Sequence, residues 1–193
     1  MDTMIMDTLV GMRDGIALDK GTVLTTDFLD DNANTIKAYL NFWLLYPDCF
    51  LDAIKPVKSP ISLYFYQRIA LRASIRYRYH SLTATRATSK SFIALLSMIL
   101  RAIFLPGSKL FTCADVKGTA IKVIKQKLDE ILSWWPLLTK EIEKINTGAD
   151  YIDIWFKNKS YFTVVSMTSA GRGNRANGGV VEESATIIFV LIS

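Results

Sequence analysis

Ala84-Thr85-Arg86-Ala87-Thr88-Ser89-Lys90-Ser91 decides how this 193-residue chain is read. It joins a strand-like segment, Ser81 to Thr85, to a helical one, Lys90 to Leu105. In the helical segment Phe92, Leu95, Leu96, Ile99 and Ile103 recur at helical spacing until Pro106-Gly107 stops it. A strand feeding a short loop into a helix is the setting in which backbone N–H groups wrap a phosphate. A lysine there reaches the terminal phosphates and a following hydroxyl ligates magnesium. Lys90 and Ser91 fill the last two places of that pattern. Ala84 and Ser89 stand where it usually has glycines. A left-handed backbone costs a non-glycine residue ~1–2 kcal/mol, so the loop either avoids that conformation or bears the strain. The same residues also fit a Ser/Thr-rich cap ahead of a buried helix.

Upstream of this stretch, residues 1–26 show no clear period and read as a lead. Ile36, Tyr39, Leu40, Trp43 and Leu44 predict a helix over Asn32 to Leu45, ended by Pro47. Lys55 to Pro60 reads as a loop. A second helix is expected over Ile61 to Tyr77, with Leu63, Tyr66, Ala70, Ala73 and Tyr77 on one face and the stripe Arg68, Arg72, Arg76 on another. The stripe suits either DNA phosphates or, more simply, solvent.

Downstream, Leu110 to Ala114 reads as a strand and Lys117 to Ser133 as an amphipathic helix with Ile121, Ile124, Leu128 and Ile131 inward. Trp134-Trp135 reads as helix-end packing. A short helical stretch is expected at Leu137 to Ile145. Tyr151 to Phe156 and Tyr161 to Ser166 read as strands around the polar turn 157–160. This alternation of helix and strand predicts a mostly parallel sheet covered on both faces.

A second segment bears on chemistry. Val180-Val181-Glu182-Glu183 reads as a buried strand ending in two carboxylates. Nucleotide hydrolysis needs one carboxylate near the metal and another for the attacking water. An ordinary strand ending in solvated acids has the same sequence. Arg172 and Arg175, in the glycine-rich loop leading into it, suit a transferring phosphoryl group or a surface turn equally.

Composition sets the limits. With 50% hydrophobic and 21% charged residues, the chain belongs with globular proteins and not with disordered or collagen-like ones. The net charge of +5 is compatible with nucleic-acid work without establishing it. Cys49 and Cys113 are too few for a disulfide framework and lack metal-ligand spacing. His80, the sole histidine, excludes a Ser-His triad built elsewhere and any multi-histidine metal site, and is expected to precede a buried strand. No signal peptide is legible at Met1 to Val10. The apolar run Phe92 to Leu105 falls short of a membrane span, so a soluble intracellular protein is expected.

Together, the glycine-poor loop 84–91, the lead Arg172-Gly173-Asn174-Arg175-Ala176-Asn177 and Val180-Val181-Glu182-Glu183 resemble the large terminase subunits of tailed double-stranded DNA phages. Tyr66-Gln67-Arg68 resembles that family's adenine-contacting glutamine motif. The likeness runs from about Tyr46 to Ala185. It implies an α/β P-loop NTPase fold of the ASCE type, three-layered with a mostly parallel sheet and incomplete at the C-terminus. Residues 1–45 would form a lead and helix. Residues 46–193 would form an ATPase domain cut shortly after Walker B, with the nuclease domain absent.

The resemblance further implies ATP and Mg2+ as cofactors, held by Ala84, Thr85, Arg86, Ala87, Thr88, Ser89, Lys90 and Ser91. Lys90 would take the β/γ-phosphates, Ser91 and Glu182 the metal, and Gln67 the base. Arg86 and Glu183 would be catalytic, with Arg172 and Arg175 as possible phosphate sensors. Implied partners are double-stranded DNA, a portal protein, a small terminase subunit and further copies in a ring, with no membrane, in the cytoplasm of an infected bacterial host. A helicase-like translocase and a non-catalytic fragment that binds nucleotide or a partner are the alternatives. For a chain cut after Walker B, little steady-state turnover is expected.

Overall fold

Short connections dictate the sheet. The computed structural model describes residues 33–56, 61–85, 88–114, 119–148, 151–166, 176–182 and 186–191. Among the described residues there are six helices, α1 (Ala33–Leu45), α2 (Pro47–Ile54), α3 (Phe65–Arg76), α4 (Lys90–Phe104), α5 (Thr119–Trp134) and α6 (Pro136–Thr139). Seven strands accompany them: β1 (Tyr79–Thr83), β2 (Lys109–Ala114), β3 (Ile142–Thr147), β4 (Tyr151–Phe156), β5 (Tyr161–Ser166), β6 (Gly178–Glu182) and β7 (Thr186–Leu191).

They form one sheet in the order β1-β7-β6-β2-β5-β4-β3. Only β2 pairs in parallel, with β5 and with β6; the other four pairings are antiparallel. The expected mostly parallel P-loop sheet is therefore not the fold. The reason is connection length. A parallel crossover needs a dozen or more residues, whereas β3–β4, β4–β5 and β6–β7 are joined by three or four and must turn back. Strand direction is another matter: β1, β2, β3, β5 and β6 all run one way, with β4 and β7 against them.

α4 is the centre of the core. Every residue from Phe92 to Leu100 is buried, so this helix is apolar all round and enclosed by its neighbours. Ile121, Ile124, Leu128 and Ile131 of α5 pack into the same core, as their spacing predicts. So do Ile152, Ile154 and Phe156 of β4, and Phe162 and Val164 of β5. The Trp134-Trp135 pair is helix-end packing, with Trp135 Nε1 donating to Leu51 O at 3.0 Å.

Four local expectations change. Pro47 ends α1 but also opens α2, where a proline at the first helical turn loses no hydrogen bond. The helical reading of 137–145 gives way to a single turn, α6, and the edge strand β3. The buried face of α3 is Gln67, Ala70, Leu71, Ser74 and Ile75, while Tyr66 and Tyr77 are exposed. His80 lies within β1 and does not precede it. Both cysteines are free thiols.

Candidate functional site

The residue before α4 has a backbone that its sequence does not favour. Ser89, the N-cap, sits at φ 58°, ψ 30°, in the left-handed region, and Lys90 begins the helix directly after it. A left-handed residue abutting a right-handed one turns successive N–H groups toward a common concavity, which suits an anion. Of the two outcomes open to a glycine-poor loop, this one bears the strain. Ile93 N donates to Ser89 O at 3.0 Å, closing the first turn. Thr88 Oγ1 donates to Thr85 O at 2.7 Å and pins the loop to its own backbone.

Lys90 curls back, and its Nζ donates to Ala84 O at 2.5 Å. The ammonium thus lies across the mouth of the loop, beside the end of β1. Ser91 follows on the first turn of α4, half-buried. Ala84, Thr85, Thr88, Ser89, Lys90 and Ser91 are therefore brought together as the sequence suggests. Arg86 and Ala87 lie outside the described residues, as do Glu183, Arg172 and Arg175.

Glu182 reaches this end of the molecule by register. β7 lies between β1 and β6, with Thr83 opposite Thr186 and Glu182 opposite Ile187. The C-terminal ends of β1 and β6 therefore stand level, two strand spacings or about 10 Å apart. In open α/β sheets, ligands bind beyond the carboxyl ends of strands that share a direction. The donor set suits a nucleotide with its metal. A lysine, a helix N-terminus and a hydroxyl lie together at the head of α4, and one carboxylate position is level with the end of β1. Mg2+ is typically held by one or two carboxylates plus substrate phosphates and keeps several waters. It needs no denser cluster, and among the described residues none of three or more His, Cys, Asp or Glu side chains occurs.

Gln67 is engaged by its own helix. Buried at the start of α3, it accepts a hydrogen bond at Oε1 from Tyr64 N at 2.9 Å, capping its own helix. The adjoining Tyr64 and Tyr66 rings stack with 6.0 Å between centroids.

Two arginines of the α3 stripe, Arg68 and Arg72, are paired with carboxylates of α2. Asp48 is fully buried and receives Arg72 Nε and Nη2 at 2.6 Å each, and Arg68 Nη1 at 3.2 Å. Arg68 also grips Asp52 through Nη1 at 2.6 Å and Nη2 at 3.1 Å. Burial alone would raise the Asp48 carboxyl. The bonds from Arg72 and Arg68 outweigh it and hold the group below the ordinary carboxylate value. A legible signal existed: Asp48/Asp52 and Arg68/Arg72 are both i,i+4 pairs, so two facing helices present matched ladders.

On the far sheet face, Asp153 Oδ1 accepts hydrogen bonds from Tyr161 Oη and Thr163 Oγ1 at 2.6 Å each. Burial, then the bond to Asp153, raises the Tyr161 phenol. No helix among the described residues is long and apolar enough to cross a membrane. No protein-family model matches the chain, and no curated protein is significantly similar to it.

Proposed function

We propose that residues 84–91 bind the phosphates of Mg·ATP and serve ATP hydrolysis in a terminase-like DNA-packaging motor. The observation that carries this reading is the left-handed Ser89 immediately before Lys90 at the head of α4. A serine bears that backbone where a phosphate-cradling turn requires it, and a plain helix cap does not: N-cap residues ordinarily sit in the extended region.

Lys90 would exchange the Ala84 carbonyl for the β/γ-phosphates, a charged partner that its ammonium binds more strongly than a neutral oxygen. The N–H groups of the first turn of α4 hold the phosphate oxygens and fix the direction of attack. Ser91 offers its hydroxyl to the metal. Glu182, at the end of β6, would hold the metal with Ser91, and magnesium held there would neutralise charge on the transferring phosphoryl group. Glu183 orients the water for in-line attack, and Arg86 stabilises charge at the γ-phosphate. Double-stranded DNA, a portal protein, a small subunit and other copies in a ring are the partners that go with this reading, in the cytoplasm of an infected bacterial host.

The experiment is DNA-stimulated, magnesium-dependent ATPase activity in the complete motor. Lys90→Ala should lose both nucleotide binding and turnover, and Glu183→Gln should keep binding while turnover falls by at least about a hundredfold. Undiminished turnover in either variant defeats the assignment.

A further inference from the structure

The opposite end of the helical layer holds a pocket of different chemistry. The C-terminal turns of α1, α3 and α4 meet around a cavity of about 270 Å³, walled by Leu44, Leu45, Ile75, Leu105, Arg76 and Arg101. Arg101 Nη1 donates to Ser74 O at 3.2 Å. Arg76 Nε and Nη2 donate to Leu45 O at 2.9 and 2.6 Å, and its guanidinium lies 4.8 Å from the centre of the Tyr46 ring. These contacts hold both guanidinium groups against carbonyls in the last turns of α1 and α3, whose partial negative charge offsets only part of theirs.

The nearby carboxylates are already committed. Asp48 pairs with Arg68 and Arg72, and Asp52 pairs with Arg68. Among the described residues no ion pair reaches Arg76 or Arg101. Arg101 is half-buried, and although burial lowers its pKa, a guanidinium keeps its proton in proteins. Two fixed cations, one inside and one at the exposed rim, therefore share a small cavity with four aliphatic side chains. The half-buried Arg101 lacks a carboxylate partner, and an entering anion would supply one.

We propose that this cavity binds a small monocarboxylate with a short aliphatic body. The planar forks of Arg76 and Arg101 suit a carboxylate, which each engages through paired N–H groups. Leu44, Leu45, Ile75 and Leu105 take the aliphatic part out of water. Inorganic phosphate fits less well, since its remaining oxygens would face the four aliphatic walls. Along α4, Arg101 lies eleven residues beyond Lys90, about 16 Å, so this pocket is distinct from the loop at 84–91.

The test is calorimetric titration of the 193-residue chain with hexanoate, its neutral analogue hexanamide and inorganic phosphate. Saturable hexanoate binding is expected, with hexanamide and phosphate each weaker by at least about tenfold. Arg76→Met and Arg101→Met should each weaken hexanoate by a similar factor, while Mg·ATP affinity stays unchanged. Should Arg101→Met fail to fold, the exposed Arg76→Met and the hexanamide comparison on the unaltered chain decide the matter. Absent hexanoate binding, equal affinity for hexanamide or phosphate, or full affinity in Arg76→Met would overturn the proposal.

Discussion

Ser89 and Asp48 show at the scale of single residues how local cost is offset by a partner or a use. Ser89 occupies a backbone region that glycine enters freely, and it does so next to the one lysine of the loop. Asp48 carries a charge into full burial, where three hydrogen bonds from two guanidinium groups, none longer than 3.2 Å, hold it. Asp48→Ala leaves Arg72 without its carboxylate and should destabilise the fold by about 3 kcal/mol or more in urea titration. The pH dependence has a fixed sign. Because the folded-state carboxyl titrates below its ordinary value of 3.8, its stabilisation is complete above that value. It is lost as pH falls through the lower folded-state value. Asp48→Asn should therefore flatten the acid limb of the stability profile; an unchanged limb would show that another carboxylate governs it.

At the scale of elements, apolar periodicity was a good guide wherever an element buries a full face. α1, α4 and α5, and the strands β4 and β5, lie close to where their patterns put them, because burial imposes the pattern. β3 was not legible. Its residues Ile142 to Thr147 lie on the sheet edge with none fully buried, so no alternation is imposed on them. α2 was hidden because Pro47 reads as a stop, and nothing in eight residues says that it is also a start. β6 depends on a close approach that the glycines at 178 and 179 permit. Gly179 lies opposite Phe111 of β2, and a β-carbon there would overlap the Phe111 ring. Gly179→Val should cost about 1–3 kcal/mol by chemical denaturation, and Phe111→Leu in the same chain should recover part of it. A cost that is fully additive with Phe111→Leu would separate the two residues.

For the whole molecule, composition and alternation were enough for an α/β core of this size, but not for its pairing. Pairing follows from which strands are joined by short turns and which by helices. The shortness of β3–β4, β4–β5 and β6–β7 made those three pairings antiparallel, while the fourth antiparallel pair, β1–β7, joins strands far apart in the chain. The loop at 84–91 survives that correction because it needs only a strand end, a left-handed residue and a helix start, all of which are present. The long-range ladder from α3 to α2 was missed for the opposite reason. Its partners are 16 to 24 residues apart, and single-segment patterns do not register such pairs. The claim on which the functional account rests is that Lys90 and the head of α4 bind nucleotide phosphates. It is tested most directly by equilibrium binding of Mg·ATP to the 193-residue chain and to its Lys90→Ala variant. The account predicts saturable binding that weakens by at least about tenfold in the variant, the loss of a charge-assisted contact. Equal affinity in the two proteins, or no saturable binding to the unaltered chain, would contradict it.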